Sequence, residues 1–253
     1  MVLPHIHRHG RMLMPLSPVA LLMSAENGAG EVVGRAVALV SGGIDSPVAV
    51  ARMVSAGWEV IPLHCSQEPV TGPEAQEKTV EALRRLRGQD GPLEGMGARI
   101  DGTLRVAPVA QTLALFTDGE CHRDYFVHMK RLFNAIACLL ADEVGASHLL
   151  TGENLGQVSS QTLGNMGAVE RASDRPVLRP LLGMDKQEIV DEARSLGTFT
   201  ISEGPEMCDV LGPAHPTTVA DIGRLLRNED ARGGLTHLAL SCHENRETAS
   251  LDG

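Results

Sequence analysis

The residues best equipped for chemistry are Ser41-Gly42-Gly43-Ile44-Asp45-Ser46. The glycines let backbone N–H groups come close to an anion, and the hydroxyls add donors. The Asp45 carboxylate can hold a divalent cation or align phosphates. The apolar run from Arg35 to Val40 leads in as a short buried strand, and Pro47, suited to the first turn of a helix, leads out. A strand that ends in a glycine turn at a helix N-terminus is a phosphate cradle, because that helix end carries partial positive charge. Two other cradles are excluded. There is no GxxxxGK[ST], and Gly28, Gly30 and Gly34 precede the strand, so no dinucleotide fingerprint exists. An ordinary strand-to-helix turn accounts for the glycines but not for Ser41, Asp45 and Ser46 at these offsets.

SGGIDS resembles the pyrophosphate-binding loop of the PP-loop, or N-type ATP pyrophosphatase, family. That resemblance implies ATP cleaved between its α and β phosphates with Mg²⁺, through an adenylated substrate. Three longer stretches narrow it: SGGIDSPVA, LTGENLGQVSSQT over Leu150 to Thr162, and PVLRPLLGMDKQE over Pro176 to Glu188. All three resemble the signatures of the tRNA 4-thiouridine synthetases, and together they cover Arg35 to about Pro216. The resemblance implies that Ser41, Gly42, Gly43 and Ser46 bind pyrophosphate while Asp45 serves Mg²⁺ and catalysis. It implies nucleotide contacts from Leu39, Val40, His64, Cys65, Gly152 and Gln161. Lys130, twenty-two positions before Gly152, matches a basic residue that reaches ATP phosphates.

Cys208 matches the family's catalytic cysteine within Pro205-Glu206-Met207-Cys208. A thiolate or persulfide there is a strong nucleophile toward an activated C4 of uridine. The family usually carries an N-terminal RNA-binding module, and some members a rhodanese domain; neither is expected here, which leaves the sulfur donor open. Some related tRNA thiolases hold an iron–sulfur cluster on three cysteines, for which Cys65, Cys121 and Cys208 are the candidates. No CxxC exists, since Asp124 stands at the fourth place after Cys121. Cys138 reads as an inert core cysteine, and Cys242-His243 lacks zinc spacing.

The elements that position these residues alternate. After the loop, Val48, Ala51 and Val54 recur at helical spacing and Gly57 stops the helix. Strands are expected at Trp58 to Leu63, Leu104 to Val109, His148 to Thr151 and Val177 to Leu178. Helices are expected at Glu74 to Arg87, Tyr125 to Val144 and Asp185 to Leu196. The second carries a core stripe of Phe126, Met129, Phe133, Ile136, Leu140 and Val144. The third has Asp185 and Glu188 as a capping box and Gly197 as its stop. The glycine-rich run 88–103 reads as a surface loop. This alternation predicts an α/β fold, an open and mostly parallel twisted sheet with helices on both faces. The expected organisation is an N-terminal extension or misassigned start over 1–33, a PP-loop domain over 34–225 and a C-terminal extension over 226–253. Met12, Met14 and Met23 are alternative starts, and His5, His7 and His9 fall in that tail.

Composition narrows the partners. The chain has 253 residues, 43% of them apolar, a net charge of −10, and only one Trp, one Tyr and four Phe. That disfavours unaided RNA binding, which draws on basic surface and aromatic platforms. The expected partners are therefore tRNA through a separate RNA-binding subunit, and a sulfur donor such as a cysteine desulfurase or sulfide; a homodimer is also open. Lys130, Arg131, Arg175 and Arg179 are the basic residues expected to line an entrance. Five scattered cysteines suit a reducing cytoplasm, and no apolar run reaches the ~18 residues of a membrane span. The leading expectation is an ATP-dependent sulfurtransferase making 4-thiouridine in tRNA. The alternatives are another sulfur acceptor linked to thiamine synthesis, or a nucleotide-binding subunit of a tRNA-modifying complex.

Overall fold

The computed structural model describes residues 32–204 and 210–252. In chain order the elements are β1 (Gly34–Leu39), α1 (Asp45–Ser55), β2 (Trp58–Ser66), α2 (Glu74–Arg87), β3 (Thr103–Pro108), α3 (Ala110–Ala114), α4 (Tyr125–Val144) and β4 (His148–Thr151). They continue as α5 (Leu163–Glu170), β5 (Val177–Leu178), α6 (Lys186–Leu196), α7 (Phe199–Ser202), α8 (Ile222–Asp230), α9 (Leu235–Glu244) and β6 (Glu247–Ser250). One six-stranded sheet has the order β5-β4-β1-β2-β3-β6. All neighbours are parallel except β6, which runs antiparallel to β3.

Alternation along each strand sends side chains to opposite faces. Ala36, Ala38 and Val60 pack with α1, α2 and α6, while Val37, Ile61 and Leu63 pack with α4 and α9. Both faces are thus covered, as a parallel sheet requires. β1 has β2 on one side and β4 on the other, so the chain reverses direction across the sheet there. Such a switch point opens a crevice at the carboxyl ends of the strands.

Several local expectations hold to the residue. α4 and α2 have the expected bounds, Gly145 and Gly197 end their helices at positive φ, and Asp185 and Glu188 form the capping box. Pro47 lies third in α1, not first, still in the turn where N–H groups lack acceptors. The run 88–103 is not only a surface loop: Leu93 and Ile100 are buried, and Ile100 bridges Val60. Its glycines masked two anchors too widely spaced to read as an element. The expected C-terminal extension, 226–253, supplies α9 and β6. α9 packs on α4, and β6 covers the β3 edge.

Candidate active site

The crevice at the switch point is a cavity of about 750 Å³. Its floor is the turn after β1. Ser46 ties that turn together: its Oγ accepts the Ser41 N–H at 2.9 Å and donates to the Ser41 carbonyl at 3.0 Å. The Gly43 N–H donates to Ser41 Oγ at 3.3 Å. Among the described residues no side chain caps the start of α1, so its first N–H groups keep their donor capacity.

Two glycines allow this floor to be crowded. A Cβ on Gly42 would lie 2.8 Å from the Ala75 carbonyl oxygen at the start of α2. A Cβ on Gly152 would lie 2.8 Å from the Ser46 nitrogen and 2.9 Å from its Cα. The end of β4 therefore rests directly on the first turn of α1. Any side chain at Gly152 would push the two apart.

Charge is organised at two points on the wall. Lys186 Nζ donates to Asp45 Oδ1 at 2.6 Å and lies 3.5 Å from Gln157 Oε1. Lys130 Nζ donates to Glu153 Oε1 at 2.8 Å, and Arg179 Nε donates to Glu153 Oε2 at 2.8 Å. Burial alone would raise the Glu153 pKa, but these two cations outweigh it and bring it to about 2. Burial likewise opposes the Arg179 charge, yet Glu153 and Glu170 hold its pKa above the ordinary value.

His64 is buried, with Nδ1 2.9 Å from the Val40 carbonyl oxygen. A carbonyl only accepts, so Nδ1 carries the proton, and burial lowers the ring's pKa toward the neutral form. Cys65 lines the cavity as a thiol, its pKa pushed well above the usual value by burial and then by Cys242. Among the described residues the buried Gln161 Oε1 has no hydrogen-bond partner, and it sits in the lining as an acceptor in want of a donor.

Twelve of the residues named from the sequence line this one cavity: Leu39, Val40, Ser41, Gly42, Gly43, Asp45, Ser46, His64, Cys65, Lys130, Gly152 and Gln161. Cys121 does not line it. It is buried beside Arg232, its Sγ 2.7 Å from the Asp118 carbonyl oxygen. Cys208 lies outside the described residues, as do His5, His7 and His9. Among the described residues no three His, Cys, Asp or Glu side chains gather as a metal site. Of the three candidate cluster cysteines, Cys65 lines the cavity, Cys121 does not, and Cys208 lies outside the described residues. Cys138 is buried in α4 with a raised pKa, first from desolvation, as an inert thiol should be.

Three lining or supporting residues escaped the sequence reading of the site. Lys186 opens α6 at its positive end, the wrong place for a cation without an anionic partner. That misplacement was the available signal, and Asp45 is the partner. Glu153 had only its position after Gly152 to mark it. Arg179 was read as an entrance charge, whereas it is half-buried and holds Glu153.

A family model described as "Thiamine biosynthesis protein (ThiI)" matches residues 31–232. The chain belongs to the ThiI family. A probable tRNA sulfurtransferase of Moorella thermoacetica is 37% identical to this ThiI-family chain over 224 residues, 87% of this chain and 55% of the relative. One from Thermus thermophilus is 39% identical over 207 residues, 78% of this chain and 47% of the relative. Among solved structures, the crystal structure of a 4-thiouridine synthetase–RNA complex with bound ATP is similar at a TM-score of 0.77 and 33% identity. That match covers 85% of this chain and 55% of the other. The ThiI-family chain thus spans about half the length of the curated relatives it matches, and the α/β fold expected from sequence is the fold it has.

Proposed function

We propose that this chain carries the ATP-dependent chemistry of a tRNA sulfurtransferase that makes 4-thiouridine. The observation behind this reading is the uncapped α1 N-terminus and Ser41–Ser46 turn on the floor of a cavity large enough for a nucleotide. The likeness to a 4-thiouridine synthetase solved with RNA and ATP supplies the acceptor. In the reaction, O4 of uridine attacks the α-phosphorus of ATP and the bond to the β-phosphate breaks, releasing pyrophosphate. A sulfur nucleophile then adds at C4 and AMP leaves.

The turn's N–H groups and the α1 end stabilise charge as it grows on the leaving pyrophosphate. Lys130 adds a cation at the wall. Asp45 is the carboxylate suited to Mg²⁺, and the Lys186 ammonium already resting on it indicates that the spot accepts a cation. Mg²⁺ bound there offsets phosphate charge. The apolar wall of Leu39, Leu63, Met129 and Phe133 suits an adenine ring. His64, neutral and fixed on Val40, shapes that slot and carries no charge into it.

Cys208 is assigned the sulfur transfer on its sequence match alone. tRNA is the substrate and a separate RNA-binding subunit its carrier, given the −10 charge and few aromatics; a cysteine desulfurase or sulfide supplies sulfur. A cytoplasmic location goes with that substrate, and no helix among the described residues is long and apolar enough to cross a membrane. The family model's thiamine description keeps a second sulfur acceptor, in thiazole formation, as the alternative.

The test is release of AMP and pyrophosphate from ATP with tRNA present, with and without a candidate RNA-binding subunit. The expected result is tRNA-dependent release, lost in Asp45→Ala. Cys208→Ala should retain ATP binding and lose 4-thiouridine. No release with any tRNA, even with the added subunit, would sink the tRNA reading. ATP binding untouched by Asp45→Ala and Ser46→Ala would remove the phosphate turn from the mechanism.

A further inference from the structure

Thr151 ends β4, and Gly152-Glu153 directly after it serve two structural demands at once. Gly152 lets the strand end lie on the Ser46 backbone, within van der Waals reach of the phosphate turn. The next residue is therefore held beside that turn by main-chain packing, not by a flexible stem. That residue is buried, with 5% of its surface exposed, yet it lines the cavity. One carboxylate oxygen takes Lys130 Nζ and the other takes Arg179 Nε and Thr151 Oγ1, the last at 3.3 Å. Arg179 is in turn held by Glu170 at 2.7 Å. The result is a chain of charges from the cavity wall outward, Lys130–Glu153–Arg179–Glu170.

The two cations differ in exposure. The Arg179 side chain is 9% exposed and that of Lys130 20%. Arg179 neutralises Glu153 from the protein side, and Lys130 is the member left at the cavity. A free lysine has four rotatable bonds and samples much of the space around it. Here its ammonium is fixed by Glu153 at one point on the wall of the cavity whose floor is the turn.

We infer that Glu153, anchored by Arg179, is a positioning residue that fixes the Lys130 ammonium where ATP phosphates bind. This rests on the reading of the cavity as an ATP site. It makes Gly152 and Glu153 one device: the glycine sets the strand end on the phosphate turn, and the glutamate holds the lysine on the wall of the same cavity.

Two rival roles predict different signs. If Glu153 competed with phosphate for Lys130, removing its charge would raise the net positive charge at the wall and tighten ATP binding. If it merely supported the fold, its loss would weaken binding whether or not Lys130 were present. The experiment is a double-mutant cycle on ATP affinity by calorimetry, with wild type, Glu153→Gln, Lys130→Ala and the double variant of the full chain. Glu153→Gln should weaken ATP roughly tenfold in the wild-type background and less than about twofold in Lys130→Ala. Tighter binding, or an equal loss in both backgrounds, overturns the inference.

Thermal melts check that each variant is folded. If Glu153→Gln does not fold, the cycle is run with Glu153→Asp, which keeps the charge and withdraws the carboxylate by one methylene. The same Lys130-dependent loss is expected. No ATP binding by the folded wild type would refute the ATP reading itself, whereas wild-type binding without the Lys130-dependent loss refutes only the role of Glu153.

Discussion

Lys130 and Arg131 are neighbours on α4, turned about 100° apart by the helix, and each meets a buried glutamate. Lys130 meets Glu153 at the cavity. Arg131 meets Glu229 of α8 on another face, through Nε at 2.6 Å and Nη2 at 2.9 Å. Both glutamates sit between two nitrogen donors: Glu153 has Lys130 and Arg179, and Glu229 has Arg131 and His128. Burial would raise the pKa of each, and in each the donors outweigh it. The difference is access. The Arg131 and His128 side chains are 3% and 0% exposed, and the Phe116 ring stacks on His128 with centroids 4.4 Å apart. Similar chemistry makes a sealed tie between α4 and α8 in one place and a cation held at a cavity in the other.

The largest effect should come from breaking the sealed tie. Glu229→Gln leaves Arg131 charged and buried, and should cost about 3–5 kcal/mol in urea unfolding. ATP affinity of the molecules that remain folded should be unchanged. If affinity falls with stability, the two clusters are not independent.

Lys130→Ala should do the reverse. Loss of one charge-assisted contact to phosphate weakens ATP by about 1.5–3 kcal/mol. Glu153 keeps Arg179 but loses the donor to its Oε1, so unfolding free energy should fall by about 1–2 kcal/mol, less than in Glu229→Gln. A large loss of stability would make Lys130 a second structural tie.

Gly152→Ala tests the backbone contact that holds Glu153 near the turn. Its Cβ has no room against Ser46, so a cost of about 1–3 kcal/mol in stability is expected, with weaker ATP binding. Unchanged ATP affinity would separate the strand end from the site.

A further effect is on acid stability. Glu153 has a folded pKa of about 2 against an ordinary 4.5. It contributes stability that is complete above pH 4.5 and drains as pH falls toward 2. The urea midpoints of wild type and Glu153→Gln should therefore draw together between about pH 5 and about pH 3. Parallel curves would show that Glu153 is not held ionised by its neighbours.

Much of the fold was legible because its signals are local. Asp185, Glu188 and Gly197 mark α6 by capping chemistry, and α4 is long enough for its apolar period to stand out. β6 was not legible. Glu247–Ser250 has little apolar character, and it becomes a strand because β3 offers an open edge. The α4 stripe was read as core, but Phe126, Met129 and Phe133 also line the cavity. Periodicity reports that a face is apolar and not whether it meets protein or ligand.

For the site, the sequence by itself determined the phosphate turn, because glycines, hydroxyls and a carboxylate within six residues need no distant partner to be recognised. It also carried the family, through three uninterrupted stretches. Only the tertiary structure decided which charges work together. Glu153 with Lys130 and Arg179, and Asp45 with Lys186, are pairs separated by 23 to 141 positions. An ion pair forms through space, and the fold that brings β4 beside β1 and α6 beside α1 is not written at either member of the pair.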